Sequence, residues 1–231
     1  MQPEPAFELP EPLHAVQHAI EVVRPALRGI SHLYAFPISL VAGGAIVYAA
    51  DSPRSSLAAL VYAVSISMIL GVSALYHRVH WRGRAYRWMR RLDHSGIFLT
   101  MAGTYTAFWL SVLEGPLSDA ILVVAWAGCT LGVTLKMVWI DAPKVLGAIA
   151  YTCFGLVGLL VVPQLFSTIG AWPTSLLLVS GLAFLAGGVV YTIGRPDPYP
   201  NFFGFHEVFH ALVVFGLALQ YAVMAVAVFP H

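Results

Sequence analysis

"GFHEVFHALVVFGLALQYAVMAVAVF", residues 204–229, opens with a His-Glu-x-x-His pattern at 206–210 and then carries no further charge as far as Phe229. In a helix, His206 and His210 lie one turn apart on one face, the arrangement by which soluble zinc peptidases hold their metal. The stretch is also long enough to cross a bilayer, whose hydrocarbon core of about 30 Å takes around 20 apolar residues. Metal-ligand spacing and membrane length thus occupy the same segment.

The whole chain supports the membrane reading. Of its 231 residues 59% are hydrophobic and 10% charged, and its mean hydropathy is +0.79. A soluble domain carries roughly 25% charge, so this chain is solvated mainly by lipid. Seven stretches qualify as spans, at about 30–50, 56–77, 95–113, 119–139, 144–163, 174–193 and 204–229. The breaks carry proline or charge: Asp51-Ser-Pro-Arg54, the arginine-rich 78–92, Glu114-Gly-Pro116, Asp141-Ala-Pro143, the segment 163–173 ending Trp172-Pro173, and Arg195-Pro-Asp-Pro-Tyr-Pro200. The predicted fold class is an all-α integral membrane protein, a bundle of seven transmembrane helices. Residues 1–27 form a short cytoplasmic segment and 28–231 one membrane domain.

The proline-rich N-terminus lacks the basic and apolar regions of a secretory signal, so the first span is expected to stay attached. Cys129 and Cys153 sit in apolar runs and read as buried thiols. Nothing in the charge pattern points to nucleic acid. Lysine and arginine mark cytoplasmic loops. Arg24, Arg28, the six arginines of 78–91, Lys136, Lys144 and Arg195 fall on one side, and Arg54 alone on the other. This split predicts a cytoplasmic N-terminus and an external C-terminus. The stretch "RVHWRGRAYRWMRRL", 78–92, interleaves arginine with aromatics and predicts a short helix lying in the interface.

Ionisable residues inside spans are costly enough to mark function. Ser73 and His77 lie one turn apart near the cytoplasmic end of the second span, Asp93, His94 and Ser95 open the third, and His206 and His210 open the seventh. All fall at one depth, so two helix faces can aim three imidazoles at one centre. Three neutral imidazoles with an open fourth position make a catalytic zinc site, and the metal brings the pKa of its water to about 7. Asp93 could orient or deprotonate that water, and Ser73 could hydrogen-bond it or a substrate carbonyl. His14, His18, His80 and His231 read as interfacial polar residues, and His94 as a packing or hydrogen-bonding residue turned about 100° from Asp93. His32, at the start of the first span, is a lesser candidate for the site.

The pieces "SALYH" at 73–77, "LDHSGIFLTMAGTYTAFWL" at 92–110 and "FGFHEVFH" at 203–210 resemble the hemolysin III family, the bacterial branch of the progestin and adipoQ receptor family, in a superfamily that includes alkaline ceramidases. The resemblance implies a Zn2+ ion held by His77, His206 and His210, with Ser73 and Asp93 beside it. Its orientation agrees with that derived from the charges. "GTYTAF" at 103–108 has Ala107 where the family pattern has proline, which is expected to straighten the helix slightly. The resemblance favours Asp93 over Glu207 as base, because the family pattern requires only the two histidines.

Three functions are compatible with these residues. The first is a zinc-dependent hydrolase of a membrane lipid amide such as ceramide, with Asp93 and Ser73 as catalytic residues, in a bacterial inner membrane. The second is a zinc-stabilised sensor or homeostasis protein without catalysis. The third is a direct cytolysin, which the composition disfavours because pore formers usually convert from a soluble form.

Overall fold

The computed structural model describes residues 25–228, within which every regular element is helical and no strand occurs. His14, His18, Arg24 and His231 lie outside the described residues, as does most of the expected N-terminal segment. The helices are α1 (Ile30–Ala49), α2 (Pro53–Arg78), α3 (Gly83–Ser111), α4 (Pro116–Val138), α5 (Lys144–Leu156, continued by a 3₁₀ turn, Val157–Val161, and a short helix, Val162–Thr168), α6 (Ala171–Ile193) and α7 (Phe205–Val223, ending in a π turn, Met224–Val228).

Local chemistry sets these bounds. Ser52 caps α2: its hydroxyl accepts from the Ser55 amide at 3.2 Å, the Ser55 hydroxyl accepts from the Ser52 amide at 3.0 Å, and Pro53 takes the first helical position. α2 therefore begins before its apolar run. Within α5, Pro163 cannot donate an amide to the preceding turn, and the backbone there tightens to 3₁₀ before the helix resumes. The expected break over 163–173 narrows accordingly to Ile169 and Gly170, and Trp172-Pro173 lies in the first turn of α6, where a missing amide costs nothing.

The stretch 78–92 departs further from its sequence reading. From Gly83 onward it is the start of α3, continuous with the apolar part through Ala107, and no separate interfacial helix exists. No proline interrupts 83–95, and arginine, alanine, methionine and leucine are good helix formers. Contacts hold these turns: the Tyr76 hydroxyl donates to that of Tyr86 at 3.2 Å, Arg90 pairs with Asp141 at 2.6 Å, and Arg91 donates to the Met137 carbonyl at 2.9 Å.

Six helices, all but α3, are long and apolar enough to cross a membrane. α2 is the central one, with 56% of its apolar window buried against 17–28% for the others. It packs along α1 and α3; α3 packs along α4, α6 along α7, and α1 also meets α7. Small residues permit the close approaches, as membrane bundles require. Ala58 and Ala59 are wholly buried on α2, and a Cβ at Gly103 of α3 would lie 2.6 Å from the Ser65 hydroxyl oxygen.

Replacing Gly103 by valine should therefore overpack the α2–α3 seam and cost about 1–3 kcal/mol. Gly44, which has open space where a Cβ would go, should accept alanine without loss. Thermal unfolding of both variants in detergent measures the contrast.

Candidate metal centre

His77 lies in the last turn of α2, and His206 and His210 lie in the first two turns of α7. The three ring centroids are 4.8, 4.8 and 4.6 Å apart, and one nitrogen from each ring falls within 4.8 Å of the other two. His77 and His210 are buried, His206 nearly so. Buried Nε2 of His206 and Nδ1 of His210 hydrogen-bond to no described residue. Such nitrogens are costly unless something else takes their lone pairs. A set of imidazole donors with two orphaned nitrogens fits a divalent transition metal such as zinc.

The start of α7 is fixed by two carboxylates. Glu207 Oε2 accepts from the Gly204 amide at 2.9 Å, and Asp197 Oδ1 accepts from the Phe205 amide at 2.8 Å. Both satisfy orphan donors at the positive end of the helix dipole. The other oxygen of Glu207 accepts from Arg28, and the side chain is only 3% exposed. Both oxygens of Glu207 are thus occupied by structural partners, which separates it from the glutamate of the soluble peptidases.

Asp93 sits apart from the three nitrogens. Ser73, one turn inward from His77 and buried, lies beside its carboxyl. Asp93 Oδ2 also approaches His94 Nδ1 at 3.6 Å. The His94 ring is engaged by its own helix, 2.8 Å from the Arg90 carbonyl, and packs as its sequence position predicts. His80 is exposed. Ser73 and Asp93 therefore form a pair beside the histidine cluster, joined to it through one turn of α2.

Sequence reasoning gave His32 little weight and did not assign Arg28 to the site. His32 is 3% exposed and stacks on His210, with centroids 4.0 Å apart and planes 9° from parallel. Arg28 pairs with Glu207, next to His206 in the chain. Arg28 lies outside α1, before the left-handed Gly29, so helical spacing gave no signal that linked it to His32.

The family model described as Haemolysin-III related matches residues 20–221. The chain belongs to that family. It is 26% identical to "Hemolysin-3" of Bacillus cereus over 212 residues, covering 91% of this chain and 92% of that protein. It is 25% identical to "Hemolysin-3 homolog" of Bacillus subtilis (strain 168) over 203 residues, covering 87% and 91%. No solved structure matches. Family membership and six apolar helices make this a multi-pass membrane protein.

If the three imidazoles hold one ion, His77→Ala and His206→Ala should each reduce zinc in the purified protein from near stoichiometric to background. His94→Ala should leave it unchanged. Elemental analysis of the purified variants makes the comparison.

Proposed function

We propose that this protein is a zinc-dependent membrane hydrolase that cleaves a lipid amide of the ceramide type. The observation that carries the reading is a three-histidine cluster at the end of an apolar bundle, with a Ser–Asp pair one helical turn away. The apolar surroundings suit acyl chains, and the neighbouring polar pair suits an amide. Bound by His77, His206 and His210, zinc would supply Lewis acidity and an acidified water. Asp93 would accept the proton of the attacking water and pass it to the departing amine. Ser73 donates its hydroxyl to the carbonyl oxygen as negative charge develops there. Glu207 takes no part, since its oxygens are held by Arg28 and the Gly204 amide.

In this reading all seven helices cross the membrane, with the N-terminus cytoplasmic. α3 has 29 residues and so extends about 43 Å, enough for its arginine-rich turns to reach water while the remainder crosses. The imbalance of basic residues supports the orientation. A reporter that fluoresces only in the cytoplasm should be dark when fused after His231 and bright when fused within the 194–204 loop.

Zinc-loaded protein should release fatty acid from at least one member of a panel of lipid amides and esters that a ceramidase turns over. Asp93→Asn should retain fold and zinc while losing about 10²–10⁴-fold in turnover, the usual contribution of a general acid–base. No release across the panel from zinc-loaded wild type would refute the hydrolase. The name of the Bacillus relatives favours a second reading, direct lysis. Liposome leakage that persists in His206→Ala and under chelation would support it.

A further inference from the structure

The two helices that carry the histidines share no extensive packing, whereas α1 packs against both. The relative position of His77 and the α7 pair is therefore set largely by α1 and the residues just before it. Three contacts made there, within five residues, involve the histidine cluster or its nearest neighbour. Gly29 has φ 75°, and a Cβ on it would sit 2.5 Å from the Cβ of His77, so this position requires glycine twice over. Arg28 pairs with buried Glu207, directly after His206. His32 stacks on His210.

The backbone of this segment is tied to the same two helices. The amides of Ala26 and Leu27 donate to the carbonyls of Asn201 and Phe202, at 3.1 and 3.2 Å, in the connection that leads into α7. Arg78, next to His77, donates to the carbonyls of Ala26 and Arg28 at 3.4 and 3.5 Å. The Arg28–Glu207 pair closes a loop of 179 residues.

We propose that residues 26–32 act as a clasp, in which Arg28, through Glu207, and His32, through its stack on His210, are positioning residues that hold the three imidazoles in register for a divalent cation. His32 is not a fourth ligand. Its nitrogens fall outside the group formed by the other three, and stacked rings 9° from parallel keep their in-plane lone pairs in separate planes rather than aimed at one point. The inference rests on the metal-binding reading of the cluster and is independent of hydrolysis.

The experiment titrates zinc into metal-stripped, detergent-solubilised full-length protein against a chelating dye, and records the visible bands of the cobalt-substituted form. Arg28→Met should weaken zinc binding by roughly 10- to 100-fold, the range found when residues that orient metal ligands are removed, with altered cobalt bands. Arg28→Lys should recover most of the loss. Glu207→Gln, which keeps an oxygen for the Gly204 amide, should match Arg28→Met, and the double variant should be no worse than either single one. His32→Ala should weaken binding, whereas His32→Phe, which keeps a flat ring, should stay close to wild type. Arg54→Met, which removes a distant interhelical bond to the Leu110 carbonyl, is the control for general loosening and should bind normally. Wild-type affinity in folded Arg28→Met and His32→Ala would overturn the clasp while leaving the metal centre standing. Metal loss in His32→Phe as complete as in His77→Ala would make His32 a ligand and overturn the positioning role. A wild-type protein that takes up no zinc would overturn the metal centre and the clasp together.

Discussion

Three imidazole rings meeting at one end of an apolar bundle are the constraint that the rest of the structure accommodates. Inside hydrocarbon, a polar nitrogen without a partner costs several kcal/mol. Such rings persist when something occupies their lone pairs and when the helices carrying them are held at the right separation. The first condition points to a cation. The second is a problem of packing, because His77 comes from one helix and His206 and His210 from another whose backbone does not run closely along it. α1 resolves it by lying against both, with its foot close enough to His77 that only glycine fits at position 29.

Acidic residues at this end of the bundle fall into two sets by what surrounds them. Glu207 and Asp197 lie at the N-terminus of α7, where free amides and the helix dipole stabilise negative charge, and both are engaged by backbone. Asp93 lies on α3, beside Ser73 and close to His94. A carboxylate bound by an arginine and an amide is a structural anchor. Asp93 makes neither kind of contact among the described residues, which is why the proposed chemistry runs through it.

α3 is the long helix among the described residues that is not apolar enough to count as a span. Its first turns hold arginines bound to Asp141 and to the Met137 carbonyl, and its later turns place Gly96, Thr100 and Gly103 against α2. Small and polar residues on that face lower its mean hydropathy while permitting the close seam with α2. The residues that lower the helix's apparent affinity for lipid are those that let it pack in the centre of the bundle.

Sequence by itself determined the class, the apolar helices and the candidate ligands, because each depends on local composition or on spacing of one helical turn. It placed most helix starts and ends within a few residues and erred where capping or proline geometry overrode hydropathy, as at Ser52 and Pro163, and where good helix formers carried α3 back to Gly83. Tertiary structure decided what depends on contacts between segments distant in the chain. That Glu207 is occupied follows from Arg28, 179 residues away, and that His32 lines the centre follows from its stack on a ring of the last helix. Neither residue carries a local signal of its partner, since helical periodicity tells which residues share a face and says nothing about which other helix that face will meet.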